Sequence, residues 1–230
     1  MKRYVIGNWK SLMLGEEARR WFGEFARLYR PIPGLEVIIA PSFICLQPLS
    51  QLIPALDLEQ VKLAAQDISP FPLGAYTGAV AADMIKDMVD YVIIGHSERR
   101  RYFRETSQDT GNKLSETVDA GLTPIVCIDS PYTMSQLTAL NDVDTPEMIL
   151  AYGPVEANSV RVPEQPAKVA EAAAFIARIH PNRPVVYGGA LNPGNVGHYA
   201  LLPGLSGVFV GEASLDPASF VTICEQVGNG

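Results

Sequence analysis

Short runs of apolar and β-branched residues recur along the chain, separated by longer stretches whose apolar positions fall three and four apart. The short runs are Tyr4–Gly7, Val37–Ala40, Val61–Ala65, Tyr91–Gly95, Pro124–Ile128, Met148–Tyr152, Pro184–Tyr187 and Gly207–Val210. Nearly all are apolar at successive positions, as strands covered on both faces must be, which favours a parallel sheet. The amphipathic stretches between them suit crossover helices. Eight βα units in succession predict an α/β fold, a (β/α)8 barrel forming one domain over residues 1–230.

Among the helical stretches, Glu16–Tyr29 places Trp21, Phe22, Phe25, Leu28 and Tyr29 on one stripe, which a helix packed on a barrel explains. Glu164–Ile179 is Ala-rich and follows Pro163, and Pro217–Gln226 follows two cap candidates, Ser214 and Asp216. The stretch Pro131–Glu147 is crowded with Pro, Asn and Asp, leaving only Thr133–Leu140 as a short helix, so the fifth connection is expected to be reduced. No low-complexity linker divides the chain.

Composition narrows the function. A net charge of −7 argues against binding nucleic acid through neutralised phosphates. The one dense basic run, Arg99-Arg100-Arg101, reads as solvated helix-start charge. Cys45, Cys127 and Cys224 lie far apart among apolar neighbours, which fits buried thiols in a reducing, cytoplasmic compartment. No apolar run reaches the length of a signal-peptide core or a membrane span. The histidines His180 and His198 read as surface residues, and neither a metal nor a cofactor is expected.

In a parallel barrel the chemistry belongs to residues just past the carboxyl ends of the strands. Here these are Gly7-Asn8-Trp9-Lys10, Gly95-His96-Ser97-Glu98, Tyr187-Gly188-Gly189-Ala190 and Gly211-Glu212-Ala213-Ser214. An ammonium, an imidazole and two glycine turns on one mouth suit a small anionic or carbonyl-bearing molecule.

Taken together and in order, Gly-Asn-Trp-Lys at 7–10, Gly-Ala-Tyr-Thr-Gly at 74–78, Ile-Ile-Gly-His-Ser-Glu-Arg-Arg at 93–100, Tyr-Gly-Gly at 187–189 and Val-Gly-Glu-Ala-Ser-Leu at 210–215 resemble the triosephosphate isomerase family over almost the whole chain. The resemblance implies a TIM barrel in which Asn8 and Lys10 meet the substrate, His96 polarises its carbonyl and Glu98 supports the lysine. It implies Gly189 and Gly211 at the substrate's distal end. It further implies a homodimer in which the Gly74–Gly78 loop reaches the other subunit, with Thr77 near Asn8 of the partner subunit. In that family a glutamate base is known to work with a neutral histidine under a closing loop.

The sequence departs from that pattern at several places. Where the family reads Ala-Tyr-Glu-Pro-Val-Trp-Ala-Ile-Gly-Thr-Gly, this chain has Gly153 for the glutamate, and Glu156, Ser159 and Arg161 for the tryptophan and the two glycines. Ala190 stands for a serine, Glu212 for a glycine, Asp129-Ser130 for Gly-Glu and Ala79 for a glutamate. The Asp129-Ser130 change reads as structural drift. Glu156 is the best available carboxylate to replace the base, its alternative reading being a solvated surface charge on the lid, and Glu212 with Arg161 would refit the distal pocket. Two functions are therefore expected to compete: a divergent isomerase or carbonyl enzyme with an altered substrate, and an inactive family member that binds or regulates.

Overall fold

A computed structural model describes residues 2–130, 132–140, 143, 145–155 and 162–230. Its strands are β1 (Arg3–Asn8), β2 (Leu35–Ala40), β3 (Val61–Ala65), β4 (Tyr91–Ile94), β5 (Thr123–Ile128), β6 (Ile149–Tyr152), β7 (Val185–Tyr187) and β8 (Gly207–Val210). They pair in parallel in sequence order, and the Tyr4↔Gly207 to Gly7↔Val210 register between β1 and β8 closes the barrel. The described helices are α1 (Gly15–Leu28), α2 (Phe43–Ala55), α3 (Ser97–Phe103), α4 (Ser107–Asp119), α5 (Thr133–Ala139), α6 (Pro166–Ile179), α7 (Gly197–Ala200) and α8 (Pro217–Gly228).

Strand alternation sorts the core into two layers. Tyr4, Ile6, Ile38, Ala64, Tyr91, Ile93, Ile125, Cys127, Ile149, Val186 and Phe209 form the inner cluster. Their neighbours Val5, Val37, Val92, Val126, Leu150 and Val208 belong to the larger cluster beneath the helices. The inward parity of Tyr4 and Ile6 reaches Asn8, which is how β1 delivers a polar side chain to the barrel's mouth. The stripe of α1 packs as expected at Trp21, Phe22, Phe25 and Tyr29 but not at Leu28, which is exposed; Trp21 stacks on Phe25 with centroids 4.9 Å apart and meets Trp9 edge-on at 4.9 Å. Each such pair contributes about 0.5–1.5 kcal/mol beyond its buried area. The Trp9 and Trp21 indole N–H groups both donate to the Ser214 carbonyl, at 3.2 and 3.1 Å. The segment after β8 is thereby fastened to the segment after β1.

Several expectations are corrected. β4 stops at Ile94, because Gly95 turns into the left-handed region at φ 65°. The Ala-rich helix begins at Pro166 and not at Glu164, since the Glu164 N–H donates to the Tyr187 hydroxyl and its carbonyl accepts from Tyr199 Oη. Asp216 caps α8 by accepting from the Ser219 N–H at 2.8 Å, but Ser214 does not cap it: its hydroxyl donates back to the Gly211 carbonyl at 2.6 Å. The basic run is not merely solvated. Arg99 pairs with Asp67 at 2.8 Å and Glu105 at 2.7 Å, and Arg100 pairs with Asp129 at 2.7 Å. Asp129 is accordingly more than drift: it is a buried partner, itself held by Gln136 Nε2 at 2.5 Å. The fifth unit is reduced, with α5 only 7 residues long.

Candidate active site

The mouth at the carboxyl ends of β1 and β4 is organised around Lys10. Its backbone is left-handed, φ 52°, which for a non-glycine residue costs about 1–2 kcal/mol. Strain of this kind persists only where surrounding contacts impose it. Two such contacts flank the residue: Asn8 Oδ1 accepts the Lys10 N–H at 3.0 Å, and Gln66 Nε2 donates to the Lys10 carbonyl at 2.7 Å. The ammonium then reaches Glu98 Oε1 at 2.5 Å. Both partners are about two-fifths exposed, so the pair adds at most about 1 kcal/mol of stability and its value is positional.

His96 opens α3. Its Nδ1 accepts the Glu98 N–H at 3.2 Å, which leaves Nε2 as the protonated nitrogen of the neutral ring. Burial pushes the imidazole down to about 4 against the pull of Glu98, with Lys10 and Arg100 lowering it further. The 3.7 Å approach of Glu98 Oε2 to Nδ1 is therefore not an ion pair near neutral pH. Phe209, in the barrel's inner layer, lies 6.1 Å from the His96 ring and floors the site. Arg100 donates to the Gly95 carbonyl, so the Asp129–Arg100 pair supports the turn carrying His96. A neutral, donor-bearing imidazole beside a lysine can polarise a carbonyl and stabilise charge developing on its oxygen.

On the opposite side, the Gly153 N–H donates to the Ile128 carbonyl at 2.9 Å and the Gly188 N–H to the Tyr152 carbonyl at 2.8 Å, holding the ends of β5, β6 and β7 together. At Gly189 a side chain would collide with the Tyr187 hydroxyl, the group that receives the Glu164 N–H. Gly211 lies alongside Lys10, its Cβ direction 3.8 Å from Lys10 Cε. Glu212, itself exposed, opens a 3-10 turn, Glu212–Leu215, immediately beyond it. Ala190 has a left-handed backbone, φ 39°, and no hydroxyl to offer.

Asn8, Lys10, His96, Glu98 and Gly211 are thus brought together, with Gly189 and Glu212 on the β7 and β8 turns. Glu156 and Arg161 lie outside the described residues. Sequence reasoning missed Gln66, Arg100 and Asp129. Gln66 directly follows β3, so the rule of reading the residue past each strand would have found it.

The fold is a (β/α)8 barrel with a polar cluster at its carboxyl-terminal mouth. A family model described as triosephosphate isomerase matches residues 3–227, and the chain belongs to the triosephosphate isomerase family. It is 34% identical over 258 aligned positions to a triosephosphate isomerase of Thermus thermophilus, covering 99% of this chain and 100% of that one. It is 35% identical over 251 positions to one of Symbiobacterium thermophilum, covering 96% and 94%, and 34% identical over 244 positions to one of Thermodesulfovibrio yellowstonii, covering 96% and 98%.

Proposed function

We propose that this chain is a divergent member of its family, a carbonyl-directed isomerase whose electrophilic half is retained and whose base and substrate have changed. The observation that carries this is the neutral His96 imidazole held next to the Lys10–Glu98 pair, an arrangement fit to polarise a carbonyl and of little use to stability. Asn8 and Lys10 bind the substrate, His96 acts as electrophile and Lys10 stabilises the enolate-like charge. Gly153 offers no carboxylate where the family pattern has its base, and Glu156, three residues on, is assigned that role.

The substrate is a small carbonyl compound whose distal group differs from a phosphate dianion. A carboxylate about 4 Å from a phosphate charge costs about 1 kcal/mol in bulk-water screening and about 4 at a protein-like dielectric, doubled for a dianion. Glu212 brings that carboxylate, and Ala190 brings no donor. Purified protein should turn over non-phosphorylated trioses better, relative to glyceraldehyde 3-phosphate, than its relatives do. Glu156→Gln should lower that turnover by about 10²–10⁴-fold, the usual worth of a general base. Unchanged turnover in Glu156→Gln would remove the assigned base, and tight binding of 2-phosphoglycolate would contradict the altered substrate.

A second function is favoured by Gly153 itself: a member without proton abstraction that binds a ligand and regulates. Absence of turnover on every carbonyl tested, with ligand binding retained, would select it. In either case the chain is proposed to act as a cytoplasmic homodimer through Gly74–Gly78. In support, Phe71 and Tyr76 stack at 4.6 Å on an exposed loop together with Leu73, an apolar surface that a second copy would cover. All three cysteines are free and buried, in keeping with a reducing compartment. Among the described residues, no helix is long and apolar enough to cross a membrane.

A further inference from the structure

Lys10 supplies the site's positive charge from a backbone conformation that a lysine does not choose for itself. Both of its own peptide groups are gripped by side chains. The N–H is taken by Asn8 Oδ1 at 3.0 Å, from within the same turn. The carbonyl is taken from another part of the barrel: Gln66, the first residue past β3, donates from Nε2 at 2.7 Å, and the same nitrogen donates to the Ala40 carbonyl at 2.8 Å.

These two acceptors are not incidental. Ala40 ends β2 in register with Asn8, the end of β1, and its carbonyl already accepts the Trp9 N–H at 3.1 Å. One carboxamide nitrogen therefore spends both hydrogens tying the β1 turn to the end of β2, and it does so from the end of β3. The chemistry demands an amide here. A glutamate would set its lone pairs against two carbonyl oxygens, and an asparagine is one methylene short of the reach.

We propose that Gln66 is a positioning residue for Lys10, clamping its left-handed backbone so that the side chain leaves toward Glu98 and the ammonium stands beside His96 and Gly211. With the carbonyl released, the lysine relaxes toward an ordinary backbone conformation and the 2.5 Å contact to Glu98 opens. This deepens the function proposed above, because a displaced Lys10 could not stabilise charge on a carbonyl polarised by His96. The clamp itself stands whether or not the chain turns over any substrate.

The test reads the ammonium directly. Lysine NH₃⁺ groups give separate ¹H–¹⁵N signals when ion pairing slows their exchange with water. Lys10 and Lys113 should both do so, the latter because its ammonium is buried against Asp67 at 2.7 Å and Glu105 at 2.6 Å. Lys10→Arg and Lys113→Arg assign the two signals, and Glu98→Gln shows Lys10 without its partner. In Gln66→Met and in the isosteric Gln66→Glu, Lys10 exchange should accelerate roughly tenfold, about the factor that lost hydrogen bonds of this kind confer. Its signal should move to the position seen in Glu98→Gln, while Lys113 stays where it was. An unchanged Lys10 signal in either variant would overturn the proposal. Simultaneous loss of both signals would overturn it too, showing that Gln66 supports the fold as a whole and not Lys10. A chain with no catalytic turnover leaves this test intact, so failure of the clamp and failure of the proposed function are separable.

Discussion

On the β1–β4 side of the mouth, Asn8, Lys10, Gln66, His96 and Glu98 are joined by contacts of 2.5–3.2 Å. On the β6–β8 side the positions facing them hold Gly153, Ala190 and the exposed Glu212. The first side spends backbone strain and buried polar groups on fixing one lysine and one histidine. The second offers at those positions no side chain beyond Cβ except the Glu212 carboxylate. Backbone strain survives only where other contacts enforce it, and on the β1–β4 side the Asn8 and Gln66 side chains do so at Lys10.

The support beneath that side gives the largest stability effect. Lys113 is almost fully buried between Asp67 and Glu105, which also share Arg99. Removing the ammonium leaves two buried carboxylates with Arg99 as their shared cation, and breaking such a buried group costs about 3–5 kcal/mol. Lys113→Met should lower Tm by roughly 10 °C in a thermal melt, at the usual 2–4 °C per kcal/mol for a chain of this size. An unchanged Tm would mean that the cluster is hydrated and does not brace the site.

A pH effect of similar size should come from His96. Its folded value of about 4 lies below the ordinary 6.5, so between those limits the unfolded chain binds the proton and the folded one does not. Stability is then complete above pH 6.5 and falls as pH drops toward 4, by on the order of 3 kcal/mol. Urea midpoints measured across that window should show the loss, and His96→Gln should flatten it. A midpoint that rose on acidification, or a slope untouched in His96→Gln, would place the charge elsewhere.

On the other side of the mouth the effects should be smaller. Tyr187→Phe removes the acceptor of the Glu164 N–H and should cost about 0.5–1.5 kcal/mol in chemical denaturation, with faster proteolysis near residue 164. Smallest of all is Glu98→Gln, which breaks a half-exposed pair. Its stability cost should stay below about 1 kcal/mol even though it displaces Lys10. A large stability loss in Glu98→Gln would show that the electrophilic pair is a structural strut, and the contrast between the two sides would lose its functional meaning.

The barrel was legible because continuous apolar strands and a single helical stripe leave few other folds. All eight strands stand within a residue or two of their expected limits. What periodicity could not show was where backbone groups go. Glu164 is excluded from α6 because its N–H and carbonyl are claimed by Tyr187 and Tyr199, a fact written in tertiary contacts. Likewise Arg99 and Arg100 look like solvated charge until β3 and β5 bring Asp67 and Asp129 beside them. In the site, Asn8, Lys10, His96 and Glu98 were visible from motif and strand-end position. Gln66 was not, since it acts through a lysine backbone whose φ no sequence pattern records.

The most direct test of the proposed electrophile and changed base is the rate at which dihydroxyacetone phosphate and glyceraldehyde 3-phosphate interconvert, measured for the wild type beside Gly153→Glu combined with Glu212→Gly. The double variant puts a carboxylate at 153 and removes the one at 212. It should outpace a slow wild type by at least about 10²-fold, the lower worth of a general base. A wild type that already turns over rapidly, or a double variant that gains nothing, would contradict the account.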